Sequence, residues 1–161
     1  MIVIVMGVVG AGKTTIGTLL ASQLGWKFAD ADDFHPQSNV DKIRNGTPLT
    51  DEDREPWLDL LRRTIVAWIA AGKNVVLACS ALKRSYRTKL TAGPEVRFVY
   101  LKGSPARIAD RLRSRHGHFA GESILSSQLA DLQEPESAMI VDIHDSPEQI
   151  VAQIKKALTM E

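Results

Sequence analysis

The sequence predicts an α/β domain, a parallel β-sheet with helices on both faces. Three observations carry that prediction. Short apolar runs recur along the chain, segments with helical spacing of apolar residues separate them, and glycine-rich or polar clusters directly follow several of the runs. Parallel neighbours need long crossovers, and those crossovers cover the sheet, so alternating strands and helices call for this layering.

Ile2 to Met6, Val75 to Cys79, Val96 to Leu101 (interrupted by Arg97) and Met139 to Val141 read as strands buried on both faces, with Trp26 to Asp30 as a weaker fifth. Between them, Leu58, Leu61, Ile65, Trp68 and Ile69 recur at steps of three and four and form one helix face. Thr50 followed three residues on by Asp53 resembles a capping box, and Gly72 suits the left-handed position that closes a helix. Ser104-Pro105 and Ser146-Pro147 are helix starts, a hydroxyl cap before a proline whose missing N–H costs nothing in the first turn. Ile150, Val151, Ile154 and Leu158 then mark one side of a last helix.

With 161 residues, 44% hydrophobic and 24% charged, the chain reads as one domain spanning residues 1–161, without repeats or low-complexity stretches. Lys plus Arg (20) nearly balances Asp plus Glu (19), which argues against nucleic acid or a membrane surface as partner. The single cysteine, Cys79, has no partner for an intramolecular disulfide, and the apolar start gives way to glycine after six residues, too short for a signal core. A cytoplasmic protein is the expectation.

In parallel sheets ligands bind beyond the carboxyl ends of the strands. After the first strand stands Gly7-Val8-Val9-Gly10-Ala11-Gly12-Lys13-Thr14, a full match to G-x-x-x-x-G-K-[ST]. Glycines let successive amides turn inward, so the backbone of Gly10, Ala11, Gly12, Lys13, Thr14 and Thr15 is expected to cradle phosphates. Lys13 would reach the β- and γ-phosphates of a nucleoside triphosphate, and the Thr14 hydroxyl would hold Mg²⁺. A GTPase would need a base-reading N-K-x-D, which is absent, and the third strand runs into Ser80 where a metal-holding Asp would stand. Asp30-Ala31-Asp32-Asp33-Phe34-His35-Pro36 offers the substitute: two carboxylates two residues apart, hence on one side of a continuing strand. One would organise the metal; the other would accept the proton of an attacking hydroxyl.

The chain resembles the gluconate kinases of the small P-loop type, which are related to shikimate and nucleoside monophosphate kinases. The carrying segments are the phosphate loop, Asp30-x-Asp32-x-x-His35-Pro36 with Asn39, and Gly46-Thr47-Pro48-Leu49-Thr50-Asp51-Glu52-Asp53-Arg54-x-Pro56-Trp57-Leu58. Ala78-Cys79-Ser80-Ala81-Leu82-Lys83-Arg84-x-Tyr86-Arg87, Gly117-His118-Phe119, Ser127-Gln128 and Leu132-x-Glu134-Pro135 complete them, so that the resemblance covers nearly the whole chain.

The resemblance implies a P-loop NTPase-like sandwich with a five-stranded sheet in the order 2-3-1-4-5, and Mg-ATP-dependent phosphorylation of D-gluconate at the 6-hydroxyl. In that light Thr14 and Asp30 are expected at the metal and Asp32 at the reacting hydroxyl, with Lys13 and Arg115 completing the catalytic set. An acid sugar wants a few cationic donors and polar groups, so His35, Arg54, Lys83, Arg84, Arg87 and Gln128 are expected around it, the carboxylate partner being left open among the basic residues. Related kinases carry a helical lid, here approximately residues 112–125. Arg111 and Arg115, four apart on one helix face, are expected to bring charge to the nucleotide. His116-x-His118 reads as lid structure, Cys79 as core, and Trp57 and Trp68 as helix packing, with Trp57 also a candidate border of the substrate pocket. The family often forms dimers, although no dimerisation signal is visible. Two rival readings stand beside this one: a kinase for another hydroxy acid such as shikimate, and a nucleotide-dependent sensor without phosphotransfer.

Overall fold

A computed structural model describes residues 1–116 and 122–160, with side chains for all of these except 115, 116, 122 and 123. In chain order the elements are β1 (Ile2–Met6), α1 (Lys13–Leu24), β2 (Lys27–Asp30), a 3-10 turn (Ala31–Phe34), α2 (Gln37–Arg44), α3 (Asp51–Ala70), β3 (Val75–Ala78), α4 (Arg84–Leu90), β4 (Val96–Lys102), α5 (Pro105–His116), α6 (Glu122–Asp131), β5 (Met139–Asp142) and α7 (Pro147–Thr159).

The five strands form one parallel sheet in the order β2-β3-β1-β4-β5, as the resemblance implied. Side chains alternate across a strand, and β1 shows how the sheet separates two cores. Val3 and Val5 face a cluster with Leu20 of α1, Ile108 of α5 and Ile154 of α7, while Ile2, Ile4 and Met6 face Leu61, Ile65 and Trp68 of α3 and Leu90 of α4. All five β1 side chains are fully buried, so truncating one, as in Ile4→Ala, costs about 2–5 kcal/mol through lost transfer energy and the cavity left behind.

The helix signals are realised in hydrogen bonds. Thr50 Oγ1 accepts the Asp53 N–H at 3.1 Å while Asp53 Oδ2 accepts the Thr50 N–H at 2.9 Å, and Ser146 and Gln149 repeat the arrangement on α7. Gly72 follows α3 with φ +67°. One expectation is corrected. Met139 to Val141 is not buried on both faces: in this edge strand Val141 is buried, whereas Ile140, on the opposite face, is 55% exposed. Among the described residues no helix is long and apolar enough to cross a membrane.

Candidate active site

The carboxyl ends of β1, β2 and β3 meet at one rim, and the residues that follow each strand build the site. After β1 the chain turns through Gly7, Gly10 and Gly12, all at positive φ, before α1 begins at Lys13. Gly10 has a second constraint. A Cβ there would lie 2.9 Å from Leu112 Cγ and 3.2 Å from Ile108 Cγ2, so α5 packs directly on the loop. Lys13 folds back along the loop, its ammonium donating to the Val8 carbonyl at 3.1 Å. Burial lowers its pKa, against the opposing pull of Asp32 and Asp30.

After β2, Asp30 caps the 3-10 turn, its Oδ1 accepting the Asp32 N–H at 2.9 Å. The pKa of Asp32 is raised by burial first and by Asp30 next, with Lys13 pulling the other way. After β3, Ser80 leads into Ala81, the one described non-glycine residue with positive φ (+48°). That strained turn is held by Arg87, whose guanidinium donates to the carbonyls of Ala81 (2.7 Å), Leu82 (3.0 Å) and Gln133 (2.6 Å).

Three cavities run into one another across this rim. The first, about 520 Å³, is lined by Ala11, Gly12, Thr15 and Ile16, by Arg107, Asp110, Arg111 and Ser114 of α5, and by Asp145, Pro147 and Ile150. A smaller one of about 180 Å³ holds Thr14, Asp30, Asp32, Lys13, Ser80 and the amide-bearing loop. The last, also about 180 Å³, is walled by His35, Ile43, Thr47, Pro48, Leu49 and Arg54 on one side and by Ile124, Ser127 and Gln128 of α6 on the other. Gly12 and Thr15 line both the first and second, whereas Val9, Lys13, Asp32 and Ser80 line both the second and third. Asp32 therefore stands where the phosphate cradle opens into a chamber of mixed polar and apolar lining.

The chamber receives three of the six residues expected around an acid sugar. Arg54 lines it, buried at the start of α3, with Nη1 donating to Tyr86 Oη at 2.9 Å and meeting Asp131 at 3.4 Å. His35 lines it too, stacked on Trp57 with centroids 4.3 Å apart and planes 14° from parallel. Gln128 lies on its roof, where Oε1 accepts the Val9 N–H at 2.6 Å and ties α6 to the phosphate loop.

Helix α4 begins at Arg84, and Arg84 and Arg87 are not among the residues lining the chamber. Arg87 is spent on three backbone carbonyls, while Arg84 is 70% exposed beside Glu136 and shares with Arg87 a separate surface cavity. Lys83 is not among the residues lining the chamber. Its ammonium pairs with Asp51 at 2.9 Å, and Asp51 also accepts a short hydrogen bond from Tyr86.

Arg111 falls in the first cavity as expected, its Nη2 donating to the Ile143 carbonyl at 2.8 Å and its Nη1 lying 3.9 Å from where a Cβ on Gly12 would stand. The Arg115 and His116 side chains, His118, and the middle of the expected lid (112–125) lie outside what the structure describes. The flanks are described, and Leu112 and Leu125 are both buried in the core cluster that contains Val8 and Ala11 of the loop.

Sequence reading did not single out Thr47, Pro48 and Leu49 as chamber wall, nor Asp145, Pro147 and Ile150 as nucleotide-side wall, because each reaches the rim from a distant element. The donor chemistry around Thr14 fits a small hard cation: a hydroxyl and the carboxylates of Asp30 and Asp32 are oxygen donors beside a phosphate cradle. Among the described residues no group of three or more His, Cys, Asp or Glu side chains is placed to hold a metal ion.

The sequence model of the shikimate kinase family matches residues 9–159. The chain is 50% identical over 133 residues to a gluconokinase of Gluconobacter oxydans (strain 621H), covering 82% of this chain and 75% of that one. Among solved structures it is similar to an unliganded sugar kinase from Janibacter sp. HTCC2649, with a TM-score of 0.90 at 43% identity over 98% of this chain and 94% of that one. A gluconokinase from Sinorhizobium meliloti 1021 follows with a TM-score of 0.84 at 37% identity, covering 98% and 95%.

Proposed function

The chain belongs to the gluconokinase family, within the shikimate kinase group of P-loop kinases, and from that premise we propose that it transfers the γ-phosphoryl group of ATP to the terminal hydroxyl of D-gluconate, giving 6-phosphogluconate and ADP. One observation carries this reading: Lys13 and Asp32 line both the phosphate cradle and the chamber beside it, so an acceptor hydroxyl beside Asp32 would face the γ-phosphate.

Asp32 accepts the proton of that hydroxyl as the oxygen attacks phosphorus. A carboxylate whose pKa is raised by burial is a better base for this than an ordinary one. Lys13 leaves the Val8 carbonyl for the β- and γ-phosphates and offsets charge on the transferring group. The amides from Gly10 to Thr15 hold the donor in line, and Arg111, with Arg115 proposed beside it, supplies charge from α5. Thr14 and Asp30 would hold Mg²⁺, which neutralises phosphate charge when bound. Arg54 is our choice for the substrate carboxylate, being the arginine that lines the chamber.

The segment 112–125 acts as the lid in this proposal, excluding water so that ATP is not hydrolysed without acceptor. Every residue named comes from one chain, so a homodimer, which the family allows, is not required for the chemistry. The buried Cys79 thiol, pushed up to about 12 by burial, is inert core and is consistent with a cytoplasmic location.

Coupled ADP release from Mg-ATP, measured against gluconate, shikimate, nucleoside monophosphates and no acceptor, tests the proposal. Release that depends on gluconate supports it; release with shikimate instead rejects the acceptor, and ATP binding without release on any acceptor favours the sensor reading.

A further inference from the structure

Asn39 is 2% exposed on α2, a short helix with no other buried residue. Its Nδ2 lies 2.7 Å from the Asp53 carbonyl oxygen and 3.2 Å from Nδ1 of His35. A carbonyl only accepts, so the Asn39 atom facing it is the amide nitrogen, and one of its two hydrogens is committed there. The other points to Nδ1 of His35, which receives it with a lone pair. A neutral imidazole with Nδ1 as acceptor carries its hydrogen on Nε2. With Nδ1 turned to Asn39, Nε2 is the ring nitrogen left to meet an occupant of the chamber that His35 lines; His35 also borders a surface cavity with Phe34, Pro36 and Arg63.

The surroundings hold the ring in that state. Trp57 stacks against it and is itself fixed by its Nε1–H donating to the Ala31 carbonyl at 2.7 Å. Pro36 keeps the His35 backbone extended (φ −69°, ψ +139°). Burial and, next, the Arg54 charge push the His35 pKa down to about 4, so the ring is neutral at physiological pH. Of the charged groups lining the same chamber, Lys13 and Arg54 oppose protonation and Asp32 alone favours it.

We propose that Asn39 is a positioning residue that fixes His35 as the Nε2–H tautomer, so that His35 presents a hydrogen-bond donor, and not a base, to an oxygen of the acceptor. This rests on the chamber being the gluconate site and deepens that reading. A polyhydroxy acid places an oxygen on every carbon and meets such a donor. An acid lacking oxygen at that carbon leaves a buried N–H unpaired and is rejected.

The test is a long-range ¹H–¹⁵N correlation spectrum of the labelled full-length chain, which has four histidines, with His35 assigned by its loss in His35→Gln. The expected pattern at neutral pH is pyridine-like Nδ1 and pyrrole-like Nε2, unchanged on acidification to about pH 5. A protonated Nδ1, an averaged pattern, or titration near the ordinary 6.5 would overturn the proposal. Asn39→Asp places an acceptor where the donor stood. It is expected to move the proton to Nδ1 and to raise the KM for gluconate roughly tenfold with the KM for ATP unchanged. An unmoved proton or an unmoved gluconate KM in that variant contradicts it. The wild-type spectrum needs neither turnover nor the variant, so an inactive protein with the tautomer intact would reject the acceptor reading and leave the positioning role standing.

Discussion

Asp30 Oδ1 accepts the backbone N–H of Asp32 at 2.9 Å, so the first carboxylate of the turn holds the second where the phosphate cradle meets the acceptor chamber. The two acids are therefore unequal. Burial and the Asp30 charge raise the pKa of Asp32, so the native state keeps a proton that the unfolded chain releases above about 3.8. Between that value and the raised native one, stability falls as pH rises, and at neutrality the ionised Asp32 still costs stability. Asp32→Asn is expected to melt at a higher temperature at pH 7, bind ATP nearly as before, and lose about 10²-fold or more in turnover. Thermal melting and ADP release check this, and a variant with most of its activity would remove Asp32 from the base role.

Arg54→Ala and Arg87→Ala separate a binding arginine from a structural one. For Arg54→Ala we expect the KM for gluconate to rise by about 10- to 100-fold, in line with roughly 1.5–3 kcal/mol for a charged hydrogen bond, with the KM for ATP little changed. An unchanged gluconate KM would send the substrate carboxylate elsewhere.

Arg87→Ala strands the carbonyls of Ala81, Leu82 and Gln133 around a strained turn. A loss of about 2–4 kcal/mol in denaturant unfolding is expected. A purely kinetic effect at full stability would restore Arg87 to the site.

Gly10→Ala sets a Cβ against Leu112 and Ile108 at a backbone φ of +83°. The expected result is weaker ATP binding by calorimetry together with lower stability, because the same loop serves both. Lys13→Ala, by contrast, is expected to weaken ATP binding without that packing cost, and unchanged affinity would undo its assignment.

The capping box of α3 gives a stability prediction apart from the chemistry. Thr50→Ala removes the acceptor of the Asp53 N–H and is expected to cost about 1 kcal/mol in chemical unfolding. No loss would mean that solvent satisfies that donor equally well.

The phosphate loop was readable because its residues are contiguous and each glycine answers a backbone need. Capping signals were readable for the same reason: Thr50 and Asp53 bond within four residues, and Ser146 was marked by the proline beside it, although its partner Gln149 was not singled out. Strand order came through the resemblance, since local sequence does not say which strand lies beside which. Short polar helices were harder. Helix α2 buries Asn39 rather than an apolar stripe, so nothing periodic marks it.

Lys83, Arg84 and Arg87 show a different limit. Sequence put them after a strand at the binding edge, but the start of α4 decides which way each points, and that depends on Gln133, which accepts the Arg84 N–H at 2.8 Å from 49 residues away. Arg54 entered the chamber for the converse reason: the capping box fixes where α3 begins, and thus the face Arg54 occupies.

Phosphorus NMR of the product formed from ATP and gluconate tests the central claim most directly, because proton coupling reports which hydroxyl was esterified. Transfer to the terminal hydroxyl predicts a gluconate-dependent phosphate ester coupled to the two protons of one methylene group. An ester coupled to a single methine proton, or inorganic phosphate alone, would contradict the placement of that hydroxyl between Asp32 and the phosphate cradle.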